Sequence, residues 1–172
     1  ISKLRNFGLS KASGEYIAYL DADDVWEKEK LQEQIDLLKN NPSKGLVFTD
    51  VIEFDGSAII KNGLYQHKVW KDISFKDILS NTLPIYPSSI LYRKTGLEKI
   101  TWHDESFLWN DLGFITRFVA YNGAVMSPKK LTRIRKHNSN ISTIKRNEAV
   151  GFRDMINTTE FLFKQNLLSR AE

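Results

Sequence analysis

The strongest constraint on the fold is a short apolar run that ends directly in a cluster of acids. Residues 16–20 are Tyr-Ile-Ala-Tyr-Leu, and residues 21–24 are Asp-Ala-Asp-Asp. An apolar run this short, with several β-forming residues, predicts a strand buried on both faces of a sheet. An amphipathic helix is predicted to follow over residues 26–40. Its apolar stripe consists of Leu31, Ile35 and Leu38.

The rest of the chain continues this alternation of predicted strands and helices. Strand–helix–strand spacing predicts an α/β domain with a mostly parallel central sheet. Further helices are predicted over 2–12, 75–80, 111–121 and 147–168. Further strands are predicted over 45–49, 88–92, 124–127 and 131–135, and Asp55-Gly56 predicts a hairpin between 51–54 and 58–60.

The acidic cluster has two interpretations. Ligands of a parallel sheet bind beyond the carboxyl ends of its strands, which is where Asp21 and Asp23 are expected. Carboxylate oxygens there favour hard divalent cations such as Mg²⁺ or Mn²⁺. The other interpretation is a helix N-terminus, in which Asp23 and Asp24 cap the helix and Asp24 has capping-box spacing with Glu27. The Asp-x-Asp motif alone leaves both open.

Composition excludes several kinds of chemistry. The 172 residues contain no cysteine, which excludes disulfides, thiolate metal sites and cysteine nucleophiles. The chain has 25 basic and 21 acidic side chains, and seven of the basic ones lie in residues 129–146, which contain no acid. Such a basic stretch attracts phosphates, anionic lipid headgroups or nucleic acid. An ordinary solvated surface segment is the alternative.

Two consecutive segments resemble a known family. Residues 5–9, Arg-Asn-Phe-Gly-Leu, precede residues 12–24, Ala-Ser-Gly-Glu-Tyr-Ile-Ala-Tyr-Leu-Asp-Ala-Asp-Asp. An Arg-Asn helix, a Gly-Glu turn, an apolar strand and Asp-Ala-Asp-Asp in this order resemble the central block of the family 2 glycosyltransferases. Residues 110–111, Asn-Asp, resemble the family's Glu-Asp more loosely. Residues 131–142, with Arg135, His137 and Ser142, resemble its Tyr-Arg-x-His segment.

The resemblance spans about residues 1–142 and implies an inverting enzyme with the Rossmann-like glycosyltransferase A-type fold. It also implies roles for five residues. Asp111 would be the catalytic base that deprotonates an acceptor hydroxyl. Arg5, Asp21 and Asp23 would bind the nucleotide sugar, with Arg5 at the nucleotide or its phosphates and Asp21 at the ribose. Asp23 would hold a divalent cation, Mg²⁺ or Mn²⁺, at the donor diphosphate, and His137 would either complete the coordination of that cation or hold the diphosphate itself.

Two departures from the family pattern shape the expected domain organisation. The family's opening strand, its Pro-x-Tyr-Asn-type turn and a following base-binding Asp have no counterpart in the chain, and Asn110 replaces a Glu. We therefore expect an N-terminally truncated fragment, inactive by itself. Residues 1–146 would be the C-terminal portion of the catalytic domain, lacking its first strands, and residues 147–172 an amphipathic helix packed on it. Trp102 and Trp109 could stack on a sugar or belong to the core, and the sequence leaves this open.

The resemblance implies transfer of a sugar from a nucleotide-diphosphate sugar to a hydroxyl acceptor, with inversion and metal assistance, in the synthesis of bacterial surface polysaccharide or a similar glycan. The expected partners are this donor and a glycan or lipid-linked saccharide acceptor. Nucleic acid is not expected, because the basic stretch lacks interleaved aromatic residues. We expect a cytoplasmic location, and peripheral contact with the inner face of the membrane is a hypothesis. The alternative function is a catalytically degenerate glycosyltransferase-like binding domain.

Overall fold

The computed structural model describes residues 2–65, 70, 73–98, 100, 110–138, 140 and 148–168 of the chain. Its helices are α1 (Ser2–Lys11), α2 (Lys30–Asn40), α3 (Phe75–Leu79), α4 (Asn110–Asn122) and α5 (Glu148–Lys164). Its strands are β1 (Tyr16–Ala18), β2 (Val25–Trp26), β3 (Leu46–Asp55), β4 (Ala58–Asn62), β5 (Ile90–Arg93) and β6 (Ala124–Arg135). None of the helices in these ranges is long and apolar enough to cross a membrane.

The strands form one sheet in the order β1-β5-β3-β6-β2, and β4 pairs with β3 off this path. The α/β class is confirmed, but the sheet is mixed rather than mostly parallel. Among the strand pairs of the described residues, only β3 and β6 run parallel. β1, β3 and β6 still share one direction, because β5 lies antiparallel between β1 and β3. Periodicity reveals a buried strand but not its direction, which is why the sequence did not reveal β5's orientation.

Helices cover both faces of the sheet. On one face, Leu38 of α2 packs against Val47 and Leu91. On the other face, Phe114 and Phe118 of α4 pack on Tyr92, with ring centroids 5.6 and 5.0 Å from the tyrosine ring.

The C-terminal end of α4 meets β6 through a single glycine. Gly123 has a φ of 61°, a conformation that ends a helix and favours glycine. Because the turn is this short, α4 runs antiparallel to β6. The first turn of α4, with Asp111, therefore lies toward the edge of the sheet where β6 ends.

Two predicted strand pairs are each one long strand in the structure. The predicted strands 45–49 and 51–54 join in β3, with a register irregularity at Asp50, and 124–127 and 131–135 join in β6. Pro128 and Lys129 are exposed at this irregularity, a position where a proline is tolerated in a strand. The predicted hairpin is confirmed, with Gly56 at a φ of 56° between β3 and β4.

The predictions for β1 and α2 need correction. β1 is at the end of the strand order, and of its residues only Ile17 is buried, so it is not buried on both faces. α2 begins at Lys30 rather than at residue 26, because residues 25 and 26 pair with β6. The predicted apolar stripe is confirmed for Leu38, which is buried, and for Ile35, which is half-buried against the same cluster, but not for Leu31, which is 41% exposed. The buried face of α2 consists of Lys30, Gln34 and Leu38.

α5 packs on α4. The rings of Tyr121 and Phe161 lie 6.3 Å apart, and the Tyr121 hydroxyl donates to Gln165 Oε1 at 3.0 Å. The division into a catalytic domain and a packed C-terminal helix remains a prediction.

Candidate active site

The acidic cluster lies in the connection between β1 and β2. These two strands occupy opposite ends of the strand order, so the connection crosses the edge of the sheet. It crosses at the edge where β1 ends and β5 begins, because β1 and β5 are antiparallel neighbours. Within the connection, the Asp24 N–H donates to the Asp21 carbonyl at 3.1 Å and closes a turn. We call residues 19–24 the acidic loop.

Ser88, in the turn before β5, and Arg135, at the end of β6, fix the acidic loop. The Asp21 N–H donates to Ser88 Oγ at 3.1 Å, and Trp26 Nε1 donates to the Ser88 carbonyl at 2.7 Å. Arg135 Nε donates to the Asp23 carbonyl at 3.0 Å. Ser88 was not predicted as a site residue, because a serine between a proline and a strand carries no signal that separates it from an ordinary turn residue.

Asp24 supports the loop and does not begin a helix. The helix-cap interpretation is wrong, because the N-cap residue of α2 is Glu29, which makes no side-chain cap. Asp24 Oδ1 instead accepts a hydrogen bond from the Arg135 N–H at 3.0 Å. Burial raises the pKa of Asp24, and hydrogen bonds from Ser88 and Arg135 oppose that shift.

Arg5 brings Asp21 and Asp111 together. Its Nη1 forms an ion pair with Asp111 Oδ1, and its Nη2 lies 3.5 Å from Asp21 Oδ1. The Arg5 side chain is 10% exposed, against 48% for Asp21 and 32% for Asp111. Burial lowers the pKa of Arg5, and the charge of Asp21 raises it. Three of the predicted site residues, from α1, the acidic loop and α4, thus meet at one point.

Asp23 faces a second pair of side chains. Its Oδ2 lies 3.0 Å from His137 Nε2 and 3.2 Å from Asn140 Nδ2. The Asn140 amide also donates to the Arg135 carbonyl at 3.2 Å, which ties the segment after β6 to itself. Asn140 was missed by the sequence analysis, since only its spacing of three residues from His137 pointed to it.

The pair Asp23 and His137 fits a divalent cation. Both side chains are about one-third exposed, at 37% and 34%. Two neighbouring ligands of an octahedral ion, each about 2.1 Å from it, lie roughly 3 Å apart, and the same separation of these two atoms, 3.0 Å, is that of the hydrogen bond they form here. The described residues contain no group of three or more histidines and acids that could hold a metal ion. Diphosphate oxygens and water would therefore have to complete the coordination, as is usual for Mg²⁺.

A further cluster lies next to His137. Tyr86 donates to Glu53 Oε1 at 2.6 Å, and Lys136 Nζ lies 3.0 Å from the same oxygen. Burial opposes ionisation of Glu53, but the hydrogen bonds from Tyr86 and Lys136 outweigh it and lower the pKa of Glu53. This cluster joins β3, the loop before β5 and the segment after β6.

The lysines of the basic stretch that the structure describes form ion pairs or hydrogen bonds with other residues of the chain. Lys129 Nζ lies 2.6 Å from Glu33 Oε2, Lys130 donates to Asn62, and Lys136 pairs with Glu53. Lys145, Arg146 and Ser142 lie outside the described residues, as do Trp102 and Trp109.

Comparison with known proteins gives a family. The model of the family described as glycosyl transferase family 2 matches residues 1–101, which is more than half of the chain. An uncharacterized glycosyltransferase of Nostoc sp. is 28% identical over 141 residues, covering 78% of this chain and 44% of the relative. A putative teichuronic acid biosynthesis glycosyltransferase of Bacillus subtilis, TuaG, is 33% identical over 81 residues, covering 46% of this chain and 30% of the relative. The chain thus spans less than half the length of these relatives.

A solved structure shows the same fold. The crystal structure of residues 1–349 of TarS from S. aureus, in complex with UDP-GlcNAc, superposes with a TM-score of 0.62 at 18% identity. The superposition covers 81% of this chain and 40% of the TarS 1–349 chain. The predicted glycosyltransferase A-type fold is confirmed, and the chain belongs to glycosyl transferase family 2.

Proposed function

We propose that the full-length protein transfers a sugar from a nucleotide-diphosphate sugar to a hydroxyl of a glycan or lipid-linked saccharide, with inversion and with a divalent cation, in the synthesis of a bacterial surface polysaccharide. The observation that carries the proposal is that Asp21 meets Asp111 at Arg5, while Asp23, two residues from Asp21 in the acidic loop, meets His137. A carboxylate for proton transfer and a cation-binding pair thus lie at one edge of the sheet. Relatives named for teichuronic acid and amylovoran biosynthesis support the polysaccharide context.

Asp111 has the exposure that a general base needs. Its carboxylate is 32% exposed at the start of α4, so an acceptor hydroxyl can reach it. Asp111 would take the proton of that hydroxyl as the oxygen attacks the anomeric carbon of the donor. The bond from the anomeric carbon to the diphosphate oxygen breaks, and the nucleoside diphosphate leaves. A single displacement of this kind inverts the anomeric carbon.

The donor diphosphate would lie at Asp23 and His137. A divalent cation held by these two residues would supply positive charge for the leaving group. Asp21, which is 48% exposed beside them, is positioned to accept hydrogen bonds from ribose hydroxyls. The UDP-GlcNAc in the TarS complex supports a nucleotide sugar as the donor class.

The proposal is tested by transfer assays on the full-length protein with a panel of nucleotide sugars. We expect Asp111→Asn to lower kcat about 10²- to 10⁴-fold, because it removes the proton acceptor and changes the shape little. Asp36→Asn is the matched control, since Asp36 is an exposed acid on α2 that interacts with Gln32. Wild-type turnover by Asp111→Asn would overturn the base assignment, and nucleotide-sugar binding without any transfer would favour the degenerate binding domain.

A further inference from the structure

The guanidinium of Arg5 is less exposed to solvent than the two carboxylates that it contacts. Arg5 is the least exposed of the three side chains, at 10%, whereas the carboxylates of Asp21 and Asp111 reach solvent. A ligand that approaches from solvent therefore meets the carboxylates first.

The two nitrogens of Arg5 are divided between the two acids. Nη1 pairs with Asp111 of α4, and Nη2 faces Asp21 of the acidic loop. A planar guanidinium has a fixed fork of donors, so one arginine sets the distance and the orientation of two carboxylates at once. Without a cation between them, two neighbouring carboxylates repel each other.

Arg5 also contacts an aromatic residue that is linked to the core. Its guanidinium carbon lies 5.7 Å from the centroid of the Tyr19 ring, within the range of a cation–π contact. The Tyr19 hydroxyl is 2.8 Å from the hydroxyl of Tyr92, which is fully buried under α4. The position of Arg5 is therefore set by the same packing that sets the position of α4.

We propose that Arg5 is a positioning residue that orients the Asp111 carboxylate toward the acceptor and fixes its distance from Asp21, and that it is not a ligand of the donor phosphates. The inference rests on the proposed function, because it gives Asp111 the role of the base. It assigns to Arg5 an effect on the chemical step and none on donor binding.

Two measurements on the full-length protein separate these roles. Arg5→Met is expected to lower kcat at saturating donor at least tenfold, while the Kd of UDP or GDP measured by calorimetry with Mn²⁺ changes less than threefold. Arg5→Lys keeps the charge but loses the fork, and is expected to recover part of the turnover. Lys11→Met is the control on the same helix, because Lys11 is exposed and its ammonium contacts the ring of Phe7. A Kd raised tenfold or more with wild-type kcat would overturn the inference.

The pairing of Arg5 with Asp111 is tested by stability measurements that need no activity assay. Urea unfolding of Arg5→Met, Asp111→Asn and the double variant forms a double-mutant cycle. We expect the shifts in midpoint of the single variants not to add in the double variant, and additive shifts would overturn the inference. The proposed function fails separately, through wild-type turnover by Asp111→Asn, so the two failures are distinguishable.

Discussion

Lys30 is the first residue of α2 and is completely buried. Its ammonium lies 4.2 Å from the centroid of the Trp26 ring and donates to Gln34 Oε1 at 2.7 Å. Gln34 in turn donates to the carbonyls of Val47 and Ser89, so the amide joins the lysine to the centre of the sheet. Burial lowers the pKa of Lys30 to about 7. An ionisable side chain is therefore buried at a position where the hydrophobic pattern of the sequence does not predict burial.

The depressed pKa of Lys30 predicts a specific dependence of stability on pH. Below pH 7 the lysine is charged in both states, and burial of the charge lowers stability. Between about pH 7 and 10.5 the unfolded state binds more protons than the folded state, so the free energy of unfolding rises with pH. At about 1.4 kcal/mol per pKa unit, this rise amounts to about 5 kcal/mol.

Lys30→Met is expected to remove this rise. Because other groups also titrate, the quantity to measure is the difference in unfolding free energy between wild type and variant, by denaturant unfolding from pH 6 to 10. Lys39→Met serves as the control, since Lys39 is exposed on the same helix. A difference that does not change with pH would show that the Lys30 pKa is not depressed.

At the scale of elements, α4 is held against the sheet by close contacts with glycines. A Cβ on Gly96 would lie 2.5 Å from Phe118 Cζ, and a Cβ on Gly45 would lie 2.5 Å from Asn122 Cβ. Phe118 is fully buried between Tyr92 and Phe114, so its ring has no space to move. These contacts set the position of the helix whose first turn carries Asp111.

Gly96→Ala is therefore expected to destabilise the protein by about 1–3 kcal/mol, the usual cost of overpacking a core. Gly8→Ala is the matched control, because a Cβ there would meet nothing within 4 Å, and alanine is the better helix former. Denaturant unfolding of both variants measures the effect. Equal midpoints for Gly96→Ala and wild type would contradict the packing described for α4.

Helices and turns whose structure depends on local sequence were predicted well. α3, the hairpin at Gly56 and α4 lie within about one residue of their predicted bounds or turn, because capping, turn chemistry and periodicity are local properties. The predictions of where α2 begins and of how deeply β1 is buried were wrong, because both features depend on pairing with a distant strand. Residues 25 and 26 pair with β6, more than 100 residues away, and this pairing has no local signal.

At the scale of the whole molecule, the candidate site also combines residues that local sequence predicts with residues that only long-range contacts bring in. Asp21, Asp23, Asp111, Arg5 and His137 were all predicted as candidates from the sequence, because they lie in segments that resemble the family's motifs. The structure brings them together in two groups, and their roles stay predictions. Their partners Ser88 and Asn140 were not predicted from the sequence, because they act through backbone and amide contacts that depend on the path of the acidic loop. The structure places the acids of this loop across the edge of the sheet, between residues of α1, α4 and the segment after β6.

The central claim is that Asp23 and His137 hold a cation bound to the donor diphosphate. Electron–nuclear double resonance of Mn²⁺ with the full-length protein and a nucleoside diphosphate tests it most directly. We predict one Mn²⁺ that couples both to ³¹P of the diphosphate and to ¹⁴N of an imidazole, with the nitrogen coupling lost in His137→Ala and kept in the control variant Asp36→Asn. A protein-bound Mn²⁺ that shows phosphorus coupling but the same nitrogen signal in wild type and His137→Ala would contradict the claim.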